Sequence, residues 1–191
     1  VSSPSKDLAL IVTLSKADAG TFVGPVYRVI SGTLIIKNLD FEHLRAGTAV
    51  GRCNPPGVAR IYMSLQKETA QSEFDYYERK AGFDPALSDS YSFAADVKLT
   101  RVLDLRLART RRQVGITLTE IRKEWDDPAL VVPTRLQSIG SLIARGYGGF
   151  SAMIYPSAQR RGGHNIVIFR DQIASPDYVT PLSAKATKEW A

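Results

Sequence analysis

Apolar residues fall along this chain in short blocks separated by polar, glycine- and proline-bearing breaks, and the blocks predict the elements. Asp7–Leu14 is short, aliphatic and partly β-branched, which predicts a buried strand. Ala17–Pro25 predicts a turn-rich connector. Val26–Ile30 predicts a second strand with Arg28 between apolar neighbours, facing either solvent on a sheet edge or a polar pocket. Thr33–Lys37 reads as a third short strand and Phe41–Arg45 as a helical turn. A stiff loop follows at Gly51–Gly57, then a strand at Ile61–Ser64 and a helix over Leu65–Lys80. In that helix Ala70, Phe74 and Tyr77 make one core stripe, with Glu73 beside it at the border with solvent.

The second half follows the same alternation. Gly82–Ser90 is a loop, and Tyr91–Leu99 and Val102–Leu105 are separate strand candidates. Thr117–Trp125 predicts a short helix, capped by Thr117 with Glu120 three residues on. Pro133–Thr134 opens a further helix, whose face is Leu136, Ile139, Leu142 and Ile143 and whose end is Gly146. Gly148–Ser157 is a strand running into a Pro-Ser turn, Gln159–Gly163 a basic glycine-rich loop, and Asn165–Phe169 a last strand. From Asp171 onward Pro176 and Pro181 predict a tail that wraps or frays. With no internal repeat or linker, the expectation is one α+β domain over 1–191, a mixed or antiparallel β core with flanking helices.

Composition narrows the function classes. The 191 residues suffice for one domain with a real core, and 44% hydrophobic with 23% charged residues are ordinary globular values. No run approaches the ~18 apolar residues of a bilayer span, so a membrane partner is not expected. The lone Cys53 excludes an internal disulfide framework and a cysteine-rich zinc site. His43 and His164 show no paired ligand spacing, so no metal is expected. No Gly-x-Ser-x-Gly elbow, phosphate-binding P-loop or dinucleotide fingerprint occurs. The net charge of +6 favours an anionic partner. The arginines gather at Arg101, Arg106, Arg109, Arg111 and Arg112, and again at Arg160 and Arg161, without interleaved aromatic residues. That pattern fits a solvated face better than a single-strand binding platform, leaving direct nucleic-acid binding as a minority reading.

The candidate chemistry lies in a polar set: Arg28, Arg52, Tyr62, Glu73 and Ser157. Pro55 and Pro56 stiffen the loop that carries Arg52 and Asn54. Taken singly, each residue has a plain structural explanation. As an ordered set they resemble the RES domain, the family named for its arginine, glutamate and serine. The resemblance runs through Val26-Tyr27-Arg28-Val29, Gly51-Arg52-Cys53-Asn54-Pro55-Pro56-Gly57, Tyr62-Met63-Ser64 and Glu73, then Tyr155-Pro156-Ser157-Ala158, Gly162-Gly163 and Asn165–Phe169. It covers about 26–169, with 1–25 as an N-terminal strand and connector and 170–191 as a tail. Two departures stand out: the family usually has tryptophan where Cys53 stands, and the segment from Gly82 to Pro133 is long.

The resemblance implies a fold similar to the ADP-ribosyltransferases and a toxin of a bacterial toxin–antitoxin pair that consumes NAD+. Glu73, Arg28 and Ser157 would be its catalytic residues, and Arg28, Arg52, Asn54, Tyr62 and Ser157 would bind NAD+ as substrate. It implies a cognate antitoxin or immunity protein as partner and action in the cytoplasm; a homo-oligomer is compatible with the sequence. Because Val1 is not a start methionine, the toxic domain of a larger effector delivered to the cytoplasm is an equal expectation. The chemistry is consistent with one carboxylate. Nicotinamide departs as a neutral molecule from a cationic ring, so no general acid is needed, and a glutamate near the forming oxocarbenium ion suffices. Water, phosphate or a protein could be the acceptor, so protein mono-ADP-ribosylation is one alternative. A basic nucleic-acid- or protein-binding module without catalysis is the other.

Overall fold

The computed structural model describes residues 4–32, 47–125 and 133–186. Helix α1 (Pro4–Lys16) leads into β1 (Gly20–Ser31), β2 (Arg60–Ser64), α2 (Lys67–Lys80) and β3 (Ser90–Asp104). Three helices follow, α3 (Ala108–Val114), α4 (Leu118–Arg122) and α5 (Arg135–Ala144), then β4 (Ala152–Pro156), β5 (His164–Phe169) and β6 (Tyr178–Ala186). Among the described residues six strands form one sheet in the order β1-β2-β5-β4-β3-β6, with β1 also paired along β3. The pairings therefore close: β1 meets β2 at Tyr27↔Ser64 and runs antiparallel to β3 from Gly20↔Val102 to Ser31↔Ser90. All pairs are antiparallel except β3 with β4. This is the mixed, mainly antiparallel α+β architecture expected.

Alternation along β4 and β5 divides the buried side chains between two clusters. Ala152, Ile154, Ile166 and Ile168 point into a core shared with Val26, Phe93 and Leu99, inside the closed strands. Met153, Tyr155, Val167 and Phe169 point the other way, against α1, α4 and α5. The second layer is built from Leu10 and Leu14 of α1, Ile121 of α4 and Leu136, Ile139, Leu142 and Ile143 of α5. Both capping boxes form: Thr117 with Glu120 opens α4, and Thr134 with Gln137 opens α5.

Several expectations need correction. The block at Asp7–Leu14 is helical, and burial explains it: Leu10 and Leu14, one turn apart, are buried while Leu8 and Val12 are exposed. The connector at Ala17–Pro25 is instead mostly the first half of β1. The two candidates Tyr91–Leu99 and Val102–Leu105 belong to one long strand. The pairing with β1 shifts register between Gly20 and Phe22, so alternation changes phase between Leu99 and Val102. The arginine-rich run, for which the sequence predicted no element, contains helix α3. The tail is strand β6 on the outer side of β3, where an edge strand tolerates Pro181. The strand foreseen at Thr33–Lys37, the helical turn at Phe41–Arg45 and His43 lie outside the described residues. No helix among the described residues is long and apolar enough to cross a membrane.

Candidate active site

A cavity of about 430 Å³ opens beside the junction of β1 and β2. Its walls come from β1 (Arg28), the loop before β2 (Arg52), β2 (Arg60, Tyr62) and α2 (Glu73), with Trp125 beyond α4 on another side. Sequence positions far apart thus converge, and Arg28, Arg52, Tyr62 and Glu73 of the candidate set share this cavity. Asn54 and Ser157 are not among the residues that line it.

Glu73 is held from behind. Its Oε1 accepts from Ser157 Oγ at 2.7 Å and from Asn165 Nδ2 at 2.6 Å. Ser157 is buried just beyond β4, and its Oγ also accepts the backbone N–H groups of Gln159 and Arg160 at 3.0 and 3.1 Å. With both lone pairs occupied, the single hydroxyl proton has one direction left, toward Glu73. Asn165 is fixed in the same way: Ser64 Oγ donates to its Oδ1 at 2.7 Å, which turns the amide N–H₂ to Glu73. One oxygen of Glu73 is thereby anchored by two neutral donors while the residue lines the cavity. Ser157 accordingly sits behind the carboxylate rather than on the cavity wall.

The proline-bearing loop is organised by Asn54. This fully buried amide donates to the carbonyls of Ala49 and Pro55 at 2.9 and 2.7 Å, and its Oδ1 accepts from Tyr62 Oη and Arg60 Nε, each at 2.8 Å. Every polar atom of the side chain is engaged in shaping the loop. Tyr62 Oη accepts the Cys53 N–H at 2.7 Å, and burial pushes the phenol well above its ordinary range. The Arg60 guanidinium lies 5.4 Å from the Tyr62 ring centre. Arg52 uses Nη1 to bind the carbonyls of Ile121 and Lys123 at 2.9 and 2.8 Å, closing the C-terminal end of α4. Arg28 is half-buried in β1, and burial, then the charge of Arg60, lowers its pKa. Cys53 is fully buried and its thiol is pushed up to about 12, chiefly by desolvation.

Helix α5 backs this loop. Gln137 Nε2 donates to the Gly51 carbonyl at 2.8 Å, and Gly140 passes the Cys53 carbonyl so closely that a Cβ there would stand 1.7 Å from it. Among the described residues no group of three His, Cys, Asp or Glu side chains could hold a metal ion. The arginine cluster is largely tied to the protein itself. Arg101 bonds the carbonyls of Gly148 and Gly149, Arg106 pairs with Asp104 at 2.7 Å, and Arg111 bonds those of Leu105 and Arg106.

Asn165, Ser64 and Arg60 were missed as site residues. Their signal was present in the sequence: each is a polar residue bounding a short apolar strand, and all three are buried. A polar side chain is rarely buried without a partner.

The fold and the cavity together define an α+β protein with one anchored carboxylate and several arginines lining a single cavity. The RES domain family model matches residues 25–187, and the chain belongs to that family. No curated protein matches it. Among solved structures it is similar to a chain of the M. tuberculosis MbcT–MbcA toxin–antitoxin complex. The TM-score is 0.66 at 17% identity, over 93% of this chain and 91% of that one, which is a likeness of fold.

Proposed function

We propose that this protein is a toxin that cleaves the nicotinamide–ribose bond of NAD+, with water or phosphate as acceptor. The observation that carries the reading is the anchored Glu73 carboxylate on the wall of a cavity that also holds Arg28 and Arg60. Cleavage generates positive charge on the ribose ring, and a fixed carboxylate stabilises it without reorganising during the reaction. Ser157 and Asn165 supply that fixity. Arginine suits the diphosphate of the dinucleotide because its planar fork matches phosphate oxygens. Tyr62 and Trp125, both lining the cavity, offer ring faces to the bases.

An enzyme of this kind acts in the cytoplasm, where NAD+ is abundant, and needs an inhibitor in the cell that makes it. A cognate antitoxin is therefore the partner, a reading supported by family membership and by the likeness to a chain from a toxin–antitoxin complex. Delivery within a larger effector, with an immunity protein as the partner, is the same proposal for a secreted form.

The test is NAD+ loss over time with wild type and Glu73→Gln, with and without phosphate. Glutamine keeps the side-chain shape and an oxygen for Ser157 and Asn165 but loses the charge. The expected fall is on the order of 10²-fold or more. Near-wild-type turnover in Glu73→Gln would sink the mechanism. A folded wild type that consumes NAD+ only when a protein acceptor is present, releasing nicotinamide and leaving ADP-ribose on that protein by mass spectrometry, would replace it with protein modification.

A further inference from the structure

Arg60 opens β2 and is only 8% exposed, yet it lines the cavity. Its described contacts are all neutral. Nε donates to Asn54 Oδ1 at 2.8 Å, Nη2 donates to the Ala49 carbonyl, and the guanidinium carbon lies over the Tyr62 ring. These contacts fix the plane of the guanidinium without cancelling its charge. At Nη1 the backbone makes room: a Cβ on Gly47 would stand 2.8 Å from that atom. Arg28 lines the same cavity from β1, close enough for the two positive charges to work against each other. Two guanidinium groups on the wall of one cavity offer a forked, doubly charged site to an anion. Arg52 is placed differently, because its Nη1 is spent on the carbonyls of Ile121 and Lys123.

We propose that Arg60, acting with Arg28, forms the subsite for the diphosphate of a dinucleotide, and that Arg52 is a clamp on the end of α4. This rests on the NAD+ reading and deepens it. Arg60 presents a guanidinium whose orientation is set before the ligand arrives, so little freedom is lost on binding. Asn54, which takes no place on the cavity wall, acts through Arg60 by holding its Nε.

The experiment compares wild type with Arg60→Gln, Arg60→Lys and Arg52→Gln in two assays. In the first, inorganic pyrophosphate is titrated while the unfolding midpoint is followed. Wild type and Arg52→Gln should show a rise, Arg60→Lys a smaller rise, and Arg60→Gln none. In the second, KM is measured for NAD+ and for nicotinamide riboside, which carries no phosphate. Arg60→Gln should raise KM for NAD+ about tenfold or more and leave that for nicotinamide riboside unchanged. If Arg60→Gln does not fold, Arg60→Lys bears the test, since lysine keeps the charge but lacks the planar fork. Equal pyrophosphate stabilisation in wild type and the Arg60 variants, or KM rising alike for both substrates, would overturn the proposal. Pyrophosphate stabilisation that depends on Arg60, in a protein that turns over no NAD+, would uphold the anion subsite and overturn the NAD+ reading alone.

Discussion

Gly140→Ala separates two opposing effects inside α5, and the structure sets the winner. In an isolated helix interior the change is favourable by about 1 kcal/mol, because alanine restricts the unfolded chain and glycine does not. Here the new Cβ would stand 1.7 Å from the Cys53 carbonyl oxygen and 2.9 Å from its carbon, whereas real Cβ contacts stay above 3.0 Å. Helix and loop would have to part by roughly 1 Å or more. Neither yields easily: the loop is pinned by Gln137 on Gly51, by the paired Gly51 and Asn54 backbones, and by the buried Asn54 amide. Overpacking of a well-packed site costs about 1–3 kcal/mol, more when the obstacle is backbone. We expect a net loss of about 3 kcal/mol after the propensity gain. For a chain of this length that lowers the midpoint by roughly 6–12 °C. Thermal unfolding and urea titration of purified protein would measure it. A midpoint equal to or above wild type would refute the close approach of α5 to the loop and with it the reason for a glycine in mid-helix.

Three further outcomes follow from the site. Ser157→Ala removes a group that positions Glu73 from behind the cavity wall, so kcat should fall about tenfold while KM for NAD+ stays within twofold; a rise in KM alone would place Ser157 on the substrate instead. Arg52→Ala should cost about 2–4 kcal/mol through the two carbonyls it leaves without a charged donor, and faster hydrogen exchange should appear in α4. Cys53, pushed up to about 12, should resist iodoacetamide at pH 8 in the folded protein and react once urea is added. Because its folded pKa lies above the usual 9.0, its contribution is intact below pH 9 and is lost between pH 9 and 12. A flat unfolding midpoint across that window would count against so deeply buried a thiol.

Elements whose burial follows one period were legible in the sequence. The α5 stripe of Leu136, Ile139, Leu142 and Ile143 faces the core as its spacing requires, and the Thr117–Glu120 capping box marks a true helix start. Asp7–Leu14 was not, because a short aliphatic run fits strand and helix alike until one sees which leucines are covered. β3 reads as two pieces since its phase changes near Leu99, a shift set by the partner strand and invisible in one segment alone. β6 was obscured by its prolines, which an edge position excuses. In the site, the resemblance pointed to Glu73, Arg28 and Arg52, which the fold brings to one cavity, but not to Arg60. It could not give their division of labour, because Arg52 and Arg60 differ in partners that lie in other elements: the end of α4 for one, Asn54 and Tyr62 for the other.

The anchoring of Glu73 also fixes an order in time. Its two supports lie 84 and 92 residues further along the chain. At about 5–20 residues per second of synthesis, the glutamate leaves the ribosome roughly 5–20 s before Asn165. Until β4 and β5 emerge and pair, nothing holds the carboxylate, and the nascent protein carries an incomplete site. Under the proposed toxin function, that interval would be a window in which a waiting inhibitor meets the chain before its site is complete.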